Sequence, residues 1–385
     1  MKGQRYRNGE EWFHPLQPSL RPSAVRLPQS TRPTLLVVVD TEEEFDWGAP
    51  FSRRNTSVRS LGNIDRVQKI FDRYGITPTY VIDFPVATQP AGYRRLKELA
   101  ETGRCAIGAH LHPWVNPPFL EEINARNSYA CNLPADLQEA KLRILTDEIR
   151  KNLGIDAKVY KAGRYGFGPS TVSALERLGF DVDVSINPHM NFADDGGPVF
   201  EAFDAAPFFF GRTRRILEIP CSVAYFGAVT AIGPAVFRLA DSPAARATHA
   251  VGILTRLNVV NRAMLSPEGH SLAELRKLTA ALLSRGIRTC SLTFHSPSVE
   301  PGHTPYVRTA RDLETFLGTI DAYCEFFFGK LGGTTATPES FAASLRSRDD
   351  GSSAALVGHG GGSRMRAGRQ QDIGERDQTR GESAL

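Results

Sequence analysis

The sequence predicts one α/β domain built as a distorted or incomplete (β/α) barrel. Short β-branched runs alternate with helical patterns over most of the chain, which is typical of parallel strands joined by crossover helices. About seven strand–helix units of this kind can be counted, close to the number in a (β/α) barrel. Polar residues follow several of the strand-like runs, and sites in parallel α/β folds form at that edge of the sheet.

The predicted elements follow one another from residue 34 to residue 330. Strands are expected where β-branched residues cluster, and helices where apolar residues recur every three or four positions. The strands are predicted at residues 34–40, 77–83, 105–112, 157–163, 181–186 and 287–294, and the helices at 61–74, 93–102, 136–153, 169–178, 272–284 and 312–330. Asp136 is the expected N-cap of its helix and Gly154 the expected stop.

Three parts of the chain lack a clear period. Residues 187–270 are rich in Pro, Gly and Phe, which indicates long loops of the kind that cover substrate sites, with a strand pair expected around 216–226. Residues 1–32 and 341–385 are expected to be disordered tails on either side of a barrel domain at 33–340. The HGGG string at residues 359–362 lies in the second tail with no strand before it, so an oxyanion loop is not expected there.

Composition argues against several classes of function. The net charge is +4, and much of the basic excess lies before residue 33 without a groove-reading motif, so nucleic-acid binding is not expected. The five cysteines are scattered and form no CxxC pair, which favours reduced thiols in a cytoplasmic protein. No secretory signal or membrane-spanning run is recognisable, so no membrane partner is expected. The oligomeric state cannot be predicted.

Two histidines and two carboxylates suggest a metal site. His110 and His112 point to one side of an extended segment because side chains alternate along a strand, so both can reach one ion. Asp40 and Glu42 share the same alternation at the end of the first predicted strand. A carboxylate would complete a mixed nitrogen and oxygen shell suited to Zn²⁺ or a related divalent ion, with a position left for water. Another acid of this cluster could accept a proton from that water.

Two further strand ends carry candidate catalytic groups. His295, after the run CSLTF, is expected to protonate the leaving group. In the loop KAGRYGFG, Arg164 is expected to hold the base carboxylate charged, and the backbone around Gly163 and Gly166 to offer NH groups to an oxyanion.

Three aromatic residues are candidates for substrate binding. Trp47 and Trp114 flank the acidic string and the histidine pair, where flat rings can stack on sugars, although packing at the rim of the site is an equal alternative for each. Tyr165 can contribute a hydroxyl or simply pack.

Four strings occur in an order that resembles a known family. DTEEEFDW, GAHLHPWVNPPF, YKAGRYGFGPS and LTFHSPS are similar to the motifs of the polysaccharide deacetylases (NodB-homology, carbohydrate esterase family 4), particularly the WalW-like branch, over residues 33–333. The resemblance implies a seven-stranded NodB-like barrel that uses a divalent metal to remove acetyl groups from N-acetylated saccharides. It also implies site roles: Asp40 as base, His110 as metal ligand, Arg164 as support for the base, His295 as general acid and Asp183 as the residue that tunes this acid.

The sequence departs from the family pattern at three points. Thr41 stands at the usual second aspartate, Trp114 stands at the usual second histidine, and the tryptophan of the fourth motif is missing near Asp183. Glu42 and His112 therefore have to replace the missing ligands. Two alternatives stay open at this point: a barrel glycosidase with a pair of working carboxylates, and a carbohydrate-binding or regulatory protein that has lost turnover.

Overall fold

The structure is a computed structural model that describes residues 24–212, 216–227, 259 and 261–357. Eleven strands lie within these ranges: β1 (Thr34–Thr41), β2 (Thr79–Ile82), β3 (Ala106–Leu111), β4 (Val159–Ala162), β5 (Val182–Asp183), β6 (Phe208–Phe210), β7 (Ile216–Glu218), β8 (Val223–Phe226), β9 (Asn261–Met264), β10 (Thr289–His295) and β11 (Thr334–Thr335). The α-helices are α1 (Asp65–Arg73), α2 (Phe84–Thr88), α3 (Pro90–Glu101), α4 (Ala135–Leu153), α5 (Pro169–Leu178), α6 (Leu272–Ser284), α7 (Ala310–Glu325) and α8 (Pro338–Val357).

The main sheet is an incomplete barrel, as predicted. Its strand order is β10-β1-β2-β3-β4-β5-β7-β6, with β11 beside β1. Strands β10, β1, β2, β3, β4, β5 and β7 pair in parallel, and β6 pairs with β7 in antiparallel orientation. Although β2 and β3 separate β1 from β4, Lys161 on β4 contacts both Asp40 on β1 and Thr293 on β10. The sheet must therefore curl so that its distant strands face one another.

Strand β1 is so apolar because it lies inside the sheet, with a strand on each side. All eight residues of β1 are buried, because β10 and β2 flank it and the helices cover the sheet. Strands buried on both faces are continuous hydrophobic runs rather than alternating ones. The run LLVVV places Asp40 at its end, where the core gives way to the site.

Helix boundaries agree with the predictions in part: α1 begins at Asp65 rather than at residue 61, α3 begins at Pro90 rather than at residue 93, and the short helix α2 was not predicted. Helices α5 and α6 begin and end where expected, and α4 ends at Gly154, which adopts a positive φ of 78°. The N-cap of α4 is Pro134, so the prediction for Asp136 is wrong. Pro134 ends the preceding segment in an extended conformation, and Asp136 lies in the first helical turn, where its negative charge faces the positive end of the helix dipole.

The middle of the chain forms two separate strand pairs. The strand pair expected around residues 216–226 is wrong in its pairing: β7 lies between β5 and β6, whereas β8 pairs with β9 in a second sheet. The pairing of β8 with β9 could not be predicted from short-range patterns because residues 227–260 separate the two strands in sequence.

The predicted tails are described only in part. Ala24 bridges to Phe208, and Val25 donates its backbone NH to the carbonyl of Pro207. Helix α8 crosses the expected boundary at residue 340. Residues 1–23 and 358–385, which include the HGGG string at 359–362, lie outside the described ranges, so the domain limits stay predictions. No helix in the described part of the chain is long and apolar enough to cross a membrane.

Candidate metal and active site

The carboxyl ends of four parallel strands bring the predicted site residues together. Asp40 on β1 is in register with His295 on β10, and His110 on β3 with Lys161 on β4. Glu42 and His112 follow directly after β1 and β3. The cluster lies at the floor of a chamber of about 400 Å³.

Glu42, His110 and His112 form the group predicted to hold a metal. The Oε2 atom of Glu42 lies 3.5 Å from Nε2 of His110 and 3.4 Å from Nε2 of His112. All three side chains are buried, and their donor atoms lie within 4.8 Å of one another. The donor atoms of these three side chains are therefore close enough to share one ion.

The other nitrogen of each imidazole is already engaged. Nδ1 of His110 is 3.0 Å from the carbonyl oxygen of Lys161, and Nδ1 of His112 is 2.8 Å from Oε2 of Glu43. These contacts fix each ring with Nε2 directed at Glu42. Such partners commonly orient metal-binding histidines.

The electrostatics of the group also suit a cation. Burial raises the pKa of Glu42 well above its ordinary value, and its Oε1 atom has no hydrogen-bond partner among the described residues. Burial lowers the pKa of His110 well below its ordinary value and that of His112 to about 4. Both rings are thus neutral at pH 7, as ligands must be. A buried carboxylate with an unpaired oxygen beside two neutral imidazoles fits a divalent cation of the zinc type.

Asp40 is paired with a lysine that the sequence analysis missed. Nζ of Lys161 donates to Oδ1 and Oδ2 of Asp40, at 2.6 and 2.8 Å, and to Oγ1 of Thr293 at 3.0 Å. Burial opposes ionisation of Asp40, but attraction by Lys161, with smaller contributions from His110 and His295, outweighs it and lowers the pKa of this carboxyl. Alternation along VYKA could have indicated that Lys161 points inward.

Arg164 does not support Asp40, contrary to expectation. Its guanidinium group donates to Oγ of Ser128 at 2.6 Å and to Oδ2 of Asp195 at 2.9 Å, and it lies over the rings of Tyr129 and Phe51. The physical reason is that Arg164 comes after β4 has ended and has a positive φ of 52°. Its side chain therefore follows the loop wall of the chamber and leaves the interior position to a strand residue.

His295 is held by Glu268 and not by Asp183. Nδ1 of His295 lies 2.8 Å from Oε2 of Glu268, and its backbone NH donates to Oε1 at 3.1 Å. Burial disfavours the charged ring, but Glu268, with contributions from Glu42 and Asp40, outweighs burial and raises the pKa of His295 to about 9. Nε2 of His295 is 3.7 Å from Oδ2 of Asp40. Glu268 lies in an unpatterned stretch after β9, where no sequence signal could have identified it.

The carboxylate of Asp183 makes its contacts within the sheet rather than in the chamber. It accepts hydrogen bonds from Oγ and the backbone NH of Ser185. It is in register with Glu218 on β7, and burial raises the pKa of both carboxyls. Asp183 is the last residue of β5, and its carboxylate is directed at Ser185 beside Glu218 rather than at His295.

The three predicted aromatic residues have different positions. Trp47 is 37% exposed at the rim, and its ring meets His295 edge-on at a centroid distance of 4.7 Å. Trp114 is 2% exposed, stacks on His112 and donates to Glu43. It packs against the metal group and also lines the chamber, so its role in sugar stacking stays a prediction. Tyr165 lines the chamber.

Gly163 permits the close approach of two strands at the site. A Cβ atom added here would lie 2.4 Å from Cδ2 of His112 and 2.6 Å from the carbonyl oxygen of Leu111. The backbone NH of Gly166 donates to the carbonyl of Gly163. Contrary to the expectation, this NH group is therefore not available to an oxyanion.

No protein-family model matches the chain, and no curated protein matches it significantly. Similar solved structures include a protein assigned as a polysaccharide deacetylase from Mycobacterium smegmatis, at 14% identity and a TM-score of 0.46, over 86% of this chain and 96% of that chain. A peptidoglycan deacetylase from Bacillus subtilis is similar at 7% identity and a TM-score of 0.39, over 86% and 99%. A 4-alpha-glucanotransferase from Thermococcus litoralis is similar at 14% identity and 0.42, over 81% and 40%.

Polysaccharide deacetylases are therefore among the solved structures that this chain is similar to. At these identities and TM-scores, membership of the family, its WalW-like branch and the activity stay proposals.

Proposed function

We propose that the chain is a metal-dependent hydrolase that removes acetyl groups from an N-acetylated saccharide. The observation that carries the proposal is the buried group of Glu42, His110 and His112, with both Nε2 atoms directed at one carboxylate. This group lies beside a carboxylate and an imidazole that can move protons, Asp40 and His295. A binding protein without turnover has no need of such a pair.

Glu42, His110 and His112 would hold the ion. When bound, a divalent cation of the zinc type would polarise the acyl carbonyl and lower the pKa of water.

Asp40 is the group placed to accept the proton of the attacking water. Lys161 keeps it ionised, so the accepting form is present at neutral pH. Lys161 and Thr293 also fix the orientation of the carboxylate. A general base must first be correctly placed and unprotonated.

His295 is the group placed to donate a proton to the departing amine. Glu268 keeps the ring protonated at neutral pH and leaves Nε2 directed into the chamber near Asp40. Water and the amide thus become a carboxylic acid and an amine, with one proton passing to Asp40 and one leaving His295.

Elemental analysis and hydrolysis assays test this proposal together. We expect about one divalent ion in the purified protein, and acetate release from a panel of N-acetylated sugars. His110→Ala and Glu42→Ala should lose both the ion and the activity, whereas His295→Ala should lose activity and keep the ion. Asp46→Asn, an exposed carboxylate in the same acidic string, is the matched control and should keep both. Absence of metal from the wild-type protein would overturn the proposal, and reducing-end release without acetate would favour a glycosidase.

A further inference from the structure

One wall of the chamber is apolar and has no part in the proposed chemistry. The rings of Phe192 and Tyr165 stack at a centroid distance of 5.6 Å, and Oη of Tyr165 lies 3.7 Å from the sulfur of Met264. Met190 lines the chamber with them. We call Tyr165, Met190, Phe192 and Met264 the inner wall. It begins next to the active site, because Nζ of Lys161 is 5.6 Å from the ring of Tyr165.

A second apolar wall forms the outer side of the chamber. Phe45 and Trp47 stack at 5.8 Å, and Trp47 meets Tyr306 edge-on at 5.7 Å. Phe51 also lines this side and packs on Trp114. The space between the walls, about 400 Å³, lies within the range of pockets that enclose small organic ligands.

Away from the catalytic cluster, some polar groups of the lining already have partners, whereas Oη of Tyr129 has none among the described residues. Arg164 is already bonded to Ser128 and Asp195, and Oγ of Ser266 accepts the backbone NH of Glu268. Between the two walls, the side chains of Phe45, Phe51, Phe192 and both methionines offer the hydroxyls of a sugar ring no hydrogen-bond donor. An apolar group would instead gain from burial, at roughly 25 cal/mol for each Å² removed from water.

Asn187 marks this chamber as a site for a ligand. It lines the chamber and is 4% exposed, and its Oδ1 atom has no hydrogen-bond partner among the described residues. A buried acceptor without a partner is costly. A ligand that supplies an N–H or O–H group would remove this cost.

We propose that the chamber binds N-acyl amino sugars whose acyl chain is longer than acetyl, with the chain between the two walls and a ligand N–H or O–H on Oδ1 of Asn187. The inference rests on the proposed function and adds acyl length to it. Thioether side chains such as Met190 and Met264 adapt to flexible chains of different length.

Hydrolysis of N-acetyl, N-butyryl and N-hexanoyl glucosamine by the metal-replete protein tests the proposal. We expect kcat/KM to rise by about fourfold for each added methylene, since each buried methylene adds a similar increment of binding. A decrease from acetyl to hexanoyl would overturn the inference while leaving the proposed function intact.

Calorimetric titration separates failure of the inference from failure of the proposed function. If no compound is hydrolysed, tighter binding of N-hexanoyl than of N-acetyl glucosamine would still support the acyl site and would refute turnover alone. Equal or weaker binding of the hexanoyl compound would overturn the acyl site.

Wall variants should change selectivity between acyl chains. Met264→Ala and Met190→Ala are expected to lower the hexanoyl-to-acetyl ratio of kcat/KM several-fold, and Asn187→Ala to weaken binding of all three sugars several-fold. Met264→Leu keeps the volume and should keep the ratio if Met264→Ala fails to fold. Leu120→Ala, at a residue that is 78% exposed and does not line the chamber, is the control. An unchanged ratio in both alanine variants would contradict the inference.

Discussion

Asp40 and His295 each have a partner of opposite charge at hydrogen-bond distance, Lys161 and Glu268 respectively. Among the described residues, Glu42 has no such partner. Its carboxylate contacts the neutral imidazoles of His110 and His112, the charge of His295 acts on it from further away, and its Oε1 atom has no hydrogen-bond partner. A buried carboxylate without a partner costs several kcal/mol. Glu42 is therefore the residue that a bound cation would stabilise most.

The contact between Glu43 and His112 should tune the metal affinity. Glu43 accepts a hydrogen bond from Nδ1 of His112 and one from Trp114. Replacement by glutamine removes the charge that orients and polarises the imidazole. We expect Glu43→Gln to weaken zinc binding roughly 10- to 100-fold in a competition titration with a chelator. Glu44→Gln is the matched control, because Glu44 contacts Ser57, Ser60 and His303, none of which belongs to the proposed metal group. Equal losses in both variants would contradict the role of Glu43.

The pKa of His295 should depend on Glu268. Burial alone would lower this pKa, but the neighbouring carboxylates raise it to about 9. Because the folded-state pKa is above the ordinary value, this pair stabilises the fold fully below about pH 6.5 and loses that contribution as pH rises through about 9. We expect Glu268→Gln to lower the pKa of His295 in an NMR titration and to move the alkaline limb of the activity profile to lower pH.

Asp183→Asn provides the comparison for that titration. Asp183 is bonded to Ser185 and not to His295, so this substitution should leave the pKa of His295 in place. A shift in Asp183→Asn and none in Glu268→Gln would reverse the assignment.

At the scale of elements, strands that end in a polar residue were the predictable part of the site. The buried run of β1 and the HxH of β3 placed Asp40, Glu42, His110 and His112 at one sheet edge from alternation alone. The contacts that Lys161 and Glu268 make could not be predicted from alternation and required the three-dimensional structure. Lys161 is in the middle of a short strand that looks unremarkable, and Glu268 is in a loop whose path depends on pairing between β8 and β9.

Gly163, which follows β4, packs so closely against the end of β3 that even an alanine side chain should not be tolerated there. In Gly163→Ala the new Cβ would meet His112 at 2.4 Å and the Leu111 carbonyl at 2.6 Å. We expect a loss of roughly 1–3 kcal/mol in the free energy of unfolding together with weaker zinc binding. Gly108→Ala, where the Cβ would lie 2.7 Å from the Val159 carbonyl, should lose stability in urea unfolding but keep its zinc affinity. If Gly163→Ala bound zinc like the wild type, this junction would not set the ligand geometry.

At the scale of the whole molecule, one buried ion pair joins strands that are not neighbours in the sheet. Lys161 on β4 reaches Asp40 on β1 and Thr293 on β10 across the inside of the curl. Such a contact favours the curled sheet over a flatter one. The same lysine therefore serves both the shape of the barrel and the charge of the proposed base.

Removal of this lysine should destabilise the barrel, because it leaves the charge of Asp40 buried and unpaired. We expect Lys161→Met to lower the free energy of unfolding by about 3–5 kcal/mol, measured by urea denaturation. Asp40→Asn combined with Lys161→Met should recover part of that loss, since the charge is then absent. Lys151→Met, in an exposed ion pair with Glu148, should change stability by about 0.5 kcal/mol or less. If the double variant were as unstable as Lys161→Met alone, packing of the lysine stem rather than its charge would hold the strands together.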